Sequence, residues 1–265
     1  MRFRRGAKTA GPALDSGQMT LIEHLNELRN RLLKCVLAVF AGLIIAFFLY
    51  DHILNFLQGP YQDLCKRKDL NCGNGGLVNI DPIGGFGTRI RFCGYLGVVF
   101  ALPVILWQVW RFIAPDLYAK EKKYAIPFIV SSLLLFAMGA VVAWITFPKA
   151  LEWLTAYAGE GTQPLFVIDK YISFVLLLMV GYGVGFQFPV ILVTLQLLGV
   201  VSSRSLAKNR RTAIVVIAII AAVVTPGGDP FSMIGLGLPM VIFYEVALLI
   251  GRLVERRKRR AAMDS

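Results

Sequence analysis

Charged residues are scarce in this chain. Of its 265 residues only 17% are Asp, Glu, Lys or Arg, whereas soluble domains carry about 25%. An ordinary soluble domain is therefore excluded. A disordered chain is excluded as well, because 57% of the residues are hydrophobic and 18 are phenylalanine, more apolar material than a solvated chain carries.

Residues that carry chemistry are also few. The two histidines, His24 and His52, lie on opposite sides of the first apolar block, so neither a zinc site nor a histidine general base is expected. The chain has no Gly-rich phosphate loop, no Gly-x-Ser-x-Gly elbow and no HExxH motif. We therefore predict no catalytic activity, no metal and no cofactor.

The apolar residues occur in long blocks separated by short charged segments. A helix needs about 20 apolar residues to cross the hydrocarbon core of a bilayer. The blocks predict an all-α integral membrane protein with six spans, at about 32–50, 92–110, 124–147, 172–201, 212–225 and 231–253. The membrane domain then covers 20–253, between a basic tail at 1–19, expected to be disordered, and a basic tail at 254–265.

Two of these spans are unusual. The fourth contains three glycines followed by Pro189, which predicts a bend or a break near its middle. The fifth corresponds to a helix of only about 21 Å, so either it tilts little or the bilayer thins around it. The sequence Pro226-Gly-Gly-Asp-Pro230 predicts a tight hairpin between the fifth and sixth spans.

The basic residues predict the orientation of the chain. Twenty of the 28 Lys and Arg residues fall before the first span, in the loops after the second and fourth spans, or from Arg252 to the C-terminus. The positive-inside rule then places both termini in the cytoplasm. The same residues are expected to contact anionic lipids, and nucleic acid is not an expected partner.

Several polar residues have two readings from the residues alone. Glu27 either pairs with Arg31 one helical turn later or binds a ligand. Glu121 either lies in a solvated loop or binds a ligand. Gln187, in the fourth span, suits an interhelical hydrogen bond or a role in transport. Glu245, in the sixth, marks an interface or cavity, or lies near a helix end.

Two of the four cysteines share one predicted extracytoplasmic loop. Cys65 and Cys72 are seven positions apart, in a compartment where oxidation is allowed. A disulfide and two free thiols both fit this spacing.

Several motifs together resemble those of one known family. They are His24-Leu-Asn-Glu-Leu-Arg-Asn-Arg31, Phe112-Ile-Ala-Pro-Asp-Leu-Tyr-Ala-Lys-Glu121, Leu102-Pro103, Phe188-Pro189, Thr225-Pro226, and Pro239-Met240 followed by Glu245. Taken in their order along the chain, they resemble the TatC family, the multispanning subunit of the twin-arginine protein translocase. The resemblance extends from about Thr20 to Arg252.

The resemblance implies a receptor in the bacterial cytoplasmic (inner) membrane, with six helices in a concave arrangement. It binds twin-arginine signal peptides of folded cargo proteins, and the proton-motive force supplies the energy for export. By the same resemblance, the arginines of the signal bind Glu27 and Glu121, Arg29 positions the site, and the remaining members shape it: Phe112, Pro115 and Tyr118.

Other residues receive roles from the resemblance too. Single-span TatA-like and TatB-like subunits are expected to dock near Thr225 and Glu245, and the chain is expected to self-associate. Pro60 is expected to be structural, at the end of the first span region. Gln187 stands where the family often has a glutamate facing the groove.

A second function class remains open from the sequence. A six-span secondary transporter for small solutes would also have a broken helix and polar residues such as Gln187 and Glu245. Against it, the two halves of the chain show no convincing inverted repeat, and the most distinctive carboxylates lie at the membrane rim. A pure assembly scaffold is the third reading.

Overall fold

The computed structural model describes residues 21–67, 77–81, 83–113, 125–157, 165–197 and 199–263. Within these ranges the chain is helical, apart from its connections and an isolated parallel bridge between Val78 and Val167. The elements are α1 (Leu21–Arg67), α2 (Gly84–Ile113), α3 (Ala125–Ala156), α4 (Ile168–Gly185), α5 (Phe188–Leu197), α6 (Ser203–Lys208), α7 (Arg210–Val224), a 3₁₀ turn (Pro226–Gly228) and α8 (Pro230–Met263).

Five segments of the described chain are long and apolar enough to cross a membrane. They are Leu25–Arg67, Gly84–Phe112, Ile126–Ala156, Ile168–Leu197 and Pro230–Arg256. The predicted all-α, multi-pass membrane architecture is therefore confirmed. Helix α7 has 15 residues, about 22 Å, too short for that set, so a sixth span there remains a prediction.

The helices run well beyond the apolar blocks. Helix α1 continues to Arg67, where the sequence predicted a span ending at 50, and it carries Pro60 in its interior. Pro60 therefore lies inside this helix rather than after it. Helix α8 likewise continues to Met263, past the predicted start of the tail at 254. A helix satisfies its own backbone polar groups, so nothing requires it to stop at the edge of the apolar region.

The fourth span is broken, as its composition predicts. Helix α4 ends at Gly185 and α5 begins at Phe188. Across the break, the N–H of Phe186 donates to the carbonyl of Tyr182 at 2.9 Å, and the N–H of Gln187 donates to the carbonyl of Val184 at 2.9 Å. Pro189 then falls in the first turn of α5, where its missing N–H has no helical partner to lose.

Helices α1 and α2 cross at two glycines. A Cβ built on Gly42 would lie 2.5 Å from the carbonyl oxygen of Gly97, and one built on Gly97 would lie 2.9 Å from the backbone nitrogen of Leu43. Small residues at such a crossing let two backbones approach within van der Waals contact, which is how membrane helices gain packing energy.

Two buried clusters hold the helices together. The first joins α1, α2, α3 and α4, and includes Tyr61, Phe92, Phe147 and Tyr171. The second joins α3, α4, α7 and α8, and includes Tyr182, Ile217, Leu236 and Met240. Because both clusters contain residues of α3 and α4, those helices connect the α1–α2 pair to the α7–α8 pair.

The predicted tight hairpin joins α7 to α8. Gly227 and Gly228 have φ angles of +82° and +63°, a region that glycine adopts without a steric penalty. The fully buried Asp229 caps α8, since its Oδ1 accepts the N–H of Ser232 at 2.7 Å.

Candidate functional site

A polar cavity lies where the start of α1 meets the end of α2. Its volume is about 420 Å³, and it is lined by Asn26, Glu27, Asn30, Arg31, Lys34, Gln108 and Arg111. The five residues from α1 recur at spacings of three and four, so they share one face of the helix. The two residues from α2 belong to its last two turns.

Glu27 is paired within this cavity. Its Oε1 accepts a hydrogen bond from Nε of Arg31 at 3.1 Å and a second, shorter one from Nη2. Nη1 of Arg31 lies 3.4 Å from the backbone carbonyl of Gln108, which connects the pair to α2. The pairing that the sequence left open is therefore present, with the carboxylate side chain 27% exposed and the guanidinium side chain 13% exposed.

The cavity carries an excess of positive charge. Arg31, Lys34 and Arg111 line it, whereas Glu27 is its single carboxylate. An arginine that enters from outside meets a carboxylate that already has a cationic partner. The charge balance therefore favours binding of a cation only if it replaces Arg31 or if a second carboxylate is added.

The structure places two other predicted site residues near this cavity. Arg29 is exposed on α1 and is not among the lining residues. Phe112 is half-buried at the end of α2, next to the lining residue Arg111. Pro115, Tyr118 and Glu121 lie outside the described residues, so their approach to Glu27 stays a prediction.

Five of the lining residues were not predicted as site residues from the sequence: Asn26, Asn30, Lys34, Gln108 and Arg111. The helical face that Glu27 shares with Asn30 and Arg31 could have indicated the α1 residues. No local signal could have indicated Gln108 and Arg111, because they reach the site through the crossing of two helices.

An apolar cavity of about 440 Å³ lies on the other side of the last turn of α2. Its lining comes from α2, α3, α5 and α8, and consists of Trp110, Pro127, Phe128, Ser131, Leu135, Pro189, Val190, Val193, Thr194, Leu197, Phe243, Val246, Ala247 and Ile250. Trp110 packs on Phe128 with ring centroids 4.7 Å apart. Because Trp110 borders the apolar cavity and Arg111 borders the polar one, one helical turn joins the two.

Gln187 lies in the break between α4 and α5. Its Nε2 donates to the backbone carbonyl of Ser132 on α3 at 2.8 Å. This is the interhelical hydrogen bond that the sequence left open for an amide at this depth. Gln187 does not line the apolar cavity, but Pro189 and Val190 do.

The two predicted docking residues lie on the α7–α8 pair. Thr225 is buried, and its Oγ1 donates to the carbonyl of Ala221 at 2.7 Å. Glu245 forms an ion pair with Arg210, with 2.9 Å between Oε2 and Nη2, and 42% of the Glu245 side chain is exposed. Since the chain reverses between the two helices, Glu245 lies level with the first residue of α7.

Among the cysteines, Cys65 is buried and disulfide-bonded, whereas Cys35 and Cys93 are free thiols. The predicted partner, Cys72, lies outside the described residues, so the pairing of Cys65 with Cys72 stays a prediction.

Residues 23–239 match the model of a protein family described as Sec-independent protein translocase protein (TatC). The chain belongs to the TatC family. Its relatives of that name include proteins from Frankia casuarinae, Carboxydothermus hydrogenoformans and Aquifex aeolicus. The first is 37% identical over 252 residues, covering 93% of this chain and 69% of the relative. The second is 36% identical and covers 92% of this chain and 98% of the relative. The third is 34% identical and covers 91% of this chain and 98% of the relative.

Two solved structures of the TatC twin-arginine translocase receptor have the same fold. One is 35% identical with a TM-score of 0.70, and covers 87% of this chain and 99% of the solved chain. The other, in the detergent DDM, is 34% identical with a TM-score of 0.72, and covers 86% and 99%. The TatC resemblance predicted from the sequence motifs is confirmed, and these likenesses support the translocase reading rather than the solute transporter.

Proposed function

We propose that this chain is the receptor subunit of a twin-arginine translocase, and that it binds signal peptides at the cavity formed by α1 and α2. The observation that carries the proposal is the arrangement of the two cavities. A polar cavity containing Glu27 and an apolar cavity of similar volume are lined by adjacent residues of the last turn of α2, Arg111 and Trp110. A peptide with two arginines followed by an apolar helix matches this arrangement, since its charged part suits the polar cavity and its apolar part suits the apolar cavity.

The chemistry of the polar cavity suits the arginines of such a peptide. A guanidinium donates two parallel hydrogen bonds to a carboxylate, which an ammonium cannot do, and this geometry selects Arg over Lys. Glu27 receives one arginine and Glu121 the other. Arg29, Phe112, Pro115 and Tyr118 complete the surface around them.

Binding at Glu27 is an exchange of partners. Arg31 already donates two hydrogen bonds to the carboxylate, so an incoming arginine displaces it. The exchange replaces one charge-assisted pair with another of the same kind, whereas without Glu27 an incoming guanidinium would meet three cations and no carboxylate in this cavity. The apolar segment, buried in the second cavity, supplies the net favourable free energy at about 25 cal/mol per Å² of apolar surface removed from water.

The orientation and partners belong to the same proposal. The chain has six spans in the bacterial cytoplasmic membrane, with both termini in the cytoplasm, because the basic residues follow the positive-inside rule. The short α7 thins the bilayer beside it. Single-span TatA-like and TatB-like subunits dock on α7 and α8, near Glu245, and further copies of the chain join the complex. The subunit binds and assembles rather than catalyses, and the proton-motive force drives transport.

A binding experiment tests the receptor assignment. The full chain is purified in detergent, and the affinity for a fluorescent Arg-Arg signal peptide is compared with that for its Lys-Lys variant. We expect Glu27→Ala and Glu121→Ala each to weaken Arg-Arg binding about tenfold or more, the scale of a charged hydrogen bond, and to remove the preference for arginine.

The matched control is Asp63→Ala, which removes an exposed carboxylate from the opposite end of α1. It should leave the affinity for both peptides unchanged. Equal binding of the Arg-Arg and Lys-Lys peptides to the unmodified chain would overturn the assignment of a twin-arginine reader.

A further inference from the structure

A second polar cavity lies between α6 and the last turns of α8. Its volume is about 550 Å³, and it is lined by Ser202, Ser203, Arg204, Ala207, Arg252, Glu255 and Arg256. It shares no lining residue with the cavity at Glu27. The proposed receptor function makes no use of it.

A network of buried hydrogen bonds builds this cavity. Oε1 of Glu255 accepts the backbone N–H of Ser203 at 2.8 Å. Oγ of Ser203 donates to Oε1 of Gln196 at 2.8 Å, and Nε2 of Gln196 lies 3.2 Å from the carbonyl of Ala247. Gln196 is only 8% exposed. These contacts tie α5, α6 and α8 together, so the walls of the cavity are held in place by backbone-anchored bonds.

Gly251 shows how closely these helices approach. A Cβ built on Gly251 would lie 1.7 Å from Oε1 of Gln196 and 2.6 Å from Oγ of Ser203. Only a residue without a side chain allows α8 to come this near to the network. The position of Arg252, the next residue, is therefore set by the packing of Gly251.

The cavity lining has three cations and one carboxylate, and the carboxylate is already engaged by Ser203. Among the described residues, no ion pair involves Arg204, Arg252 or Arg256. Three arginines that line one cavity and form no ion pair within the described chain suit a phosphate, whose oxygens accept paired N–H donors from a guanidinium.

The depth of the cavity matches a lipid headgroup. Glu245 lies level with the start of the apolar helix α7. Arg252 follows Glu245 by seven residues on α8, which places it about 10 Å further along the helix axis. The long apolar run of α8 ends just before Arg252. Headgroups occupy roughly the outer 5–8 Å of each leaflet, so the guanidinium groups lie beside the lipid phosphates if this face is cytoplasmic.

We propose that the cavity between α6 and α8 binds the phosphate group of an anionic phospholipid of the cytoplasmic leaflet. Arg204 and Arg252 hold the phosphate from the two helices, and Arg256 adds a third positive charge at the rim. The inference goes beyond receptor function and depends only on the proposed orientation of the chain. A soluble phosphate has the same chemistry, and the experiment separates the two sources.

The test is a lipid titration of the full chain in a non-ionic detergent, with bound lipids counted by native mass spectrometry. Dioleoyl phosphatidylglycerol is compared with dioleoyl phosphatidylcholine, which has the same acyl chains but no net charge. Each cation near a membrane surface is worth about a fivefold change in affinity. We therefore expect the double variant Arg204→Gln/Arg252→Gln to bind phosphatidylglycerol roughly 25-fold more weakly.

The matched control is Lys208→Gln/Arg211→Gln. It removes two exposed cations from the same region of the chain that do not line the cavity. We expect it to keep the preference for phosphatidylglycerol, and a thermal unfolding curve of each variant checks that the fold is intact. An equal loss in both double variants would overturn the proposal, because it would show a general charge effect rather than a site.

Addition of inorganic phosphate separates the two sources of the anion. If the lipid is the ligand, millimolar phosphate leaves phosphatidylglycerol binding unchanged, since the acyl chains add apolar contacts that the free ion lacks. Displacement of the lipid by phosphate at that concentration, or equal binding of the two lipids, overturns the assignment to an anionic phospholipid.

Discussion

Arg31 donates two hydrogen bonds to a single carboxylate oxygen of Glu27, one helical turn before it on α1. The same guanidinium lies 3.4 Å from the backbone carbonyl of Gln108, so it bridges α1 and α2. The residue proposed to read the twin-arginine signal is therefore occupied by an arginine of its own chain. Because Arg31 already binds Glu27, the affinity of Glu27 for any other cation is lowered. The site therefore selects ligands that make additional contacts elsewhere.

The first prediction concerns this internal competition. Arg31→Gln removes the competing guanidinium and leaves Glu27 in place, so the affinity for an Arg-Arg signal peptide should rise about two- to fivefold. That range corresponds to an ion pair worth up to about 1 kcal/mol. Fluorescence anisotropy of a labelled peptide with the purified chain measures it.

Lys34→Gln is the control, because it removes a cation from the same cavity and does not touch the hydrogen bonds of Glu27. It should raise the affinity less than Arg31→Gln does. A fall in affinity for Arg31→Gln would show instead that this arginine positions Glu27 for the peptide.

The second prediction concerns the glycine contact between α1 and α2. Gly97→Ala places a Cβ 2.9 Å from the backbone nitrogen of Leu43 and 3.0 Å from the carbonyl oxygen of Val39. Backbone atoms cannot move aside, so the substitution should cost about 1–3 kcal/mol of stability, measured by thermal or denaturant unfolding in detergent. Gly94→Ala, one turn earlier with no atom within 4 Å, should be neutral or slightly stabilising. Equal effects of the two would contradict the close crossing.

The third prediction separates the structural role of Gln187 from a role in recognition. Gln187→Leu removes the donor to the Ser132 carbonyl and should lower stability by about 0.6–1.7 kcal/mol. Thr155→Val is the control, since that hydroxyl bonds within its own helix, and it should change stability less. Arg-Arg peptide affinity should stay unchanged in both variants. A large loss of peptide binding with intact stability would place Gln187 in the binding site.

The fourth prediction concerns the docking of single-span subunits. A photo-reactive phenylalanine analogue is placed at Ile219, an exposed residue of α7, and in a separate variant at Phe48, an exposed residue of α1. With a TatA-like or TatB-like subunit co-expressed, an adduct should form at the α7 position and not at the α1 position. Adducts of equal yield at both positions would mean that contact with the subunit is not specific to α7.

The fifth prediction concerns the pairing of Cys65 with Cys72. In denaturant without reductant, alkylation should modify only Cys35 and Cys93. After reduction it should modify all four cysteines. Mass spectrometry of the intact chain counts the added groups. A peptide containing both Cys65 and Cys72, linked before reduction, identifies the pair. A disulfide between Cys65 and a second copy of the chain would contradict the predicted pairing with Cys72.

The architecture follows from local patterns in the chain. Long apolar blocks predict membrane helices because lipid leaves no other way to satisfy the backbone. The glycines and Pro189 predict the break in the fourth span, and the Pro-Gly-Gly-Asp-Pro sequence predicts the hairpin. The ordered motifs from His24 to Glu245 predict the TatC family, and the family model and relatives confirm it.

Helix ends were harder to predict. The sequence placed the first span at 32–50, whereas α1 runs from Leu21 to Arg67 through Pro60. Hydropathy reports where lipid surrounds a helix, and the helix itself continues wherever its hydrogen bonds can. The location of Pro60 could not follow from the apolar block alone.

The chain alone therefore determines that its backbone must be helical and membrane-embedded, because that requirement depends on the composition of each segment and not on its neighbours. It does not determine which polar residues meet. Arg31 reaches Gln108, 77 positions away, and Ser203 reaches Glu255, 52 positions away. These contacts depend on how the helices cross at Gly42, Gly97 and Gly251. The geometry of those crossings arises only when the whole bundle packs, and it creates both polar cavities.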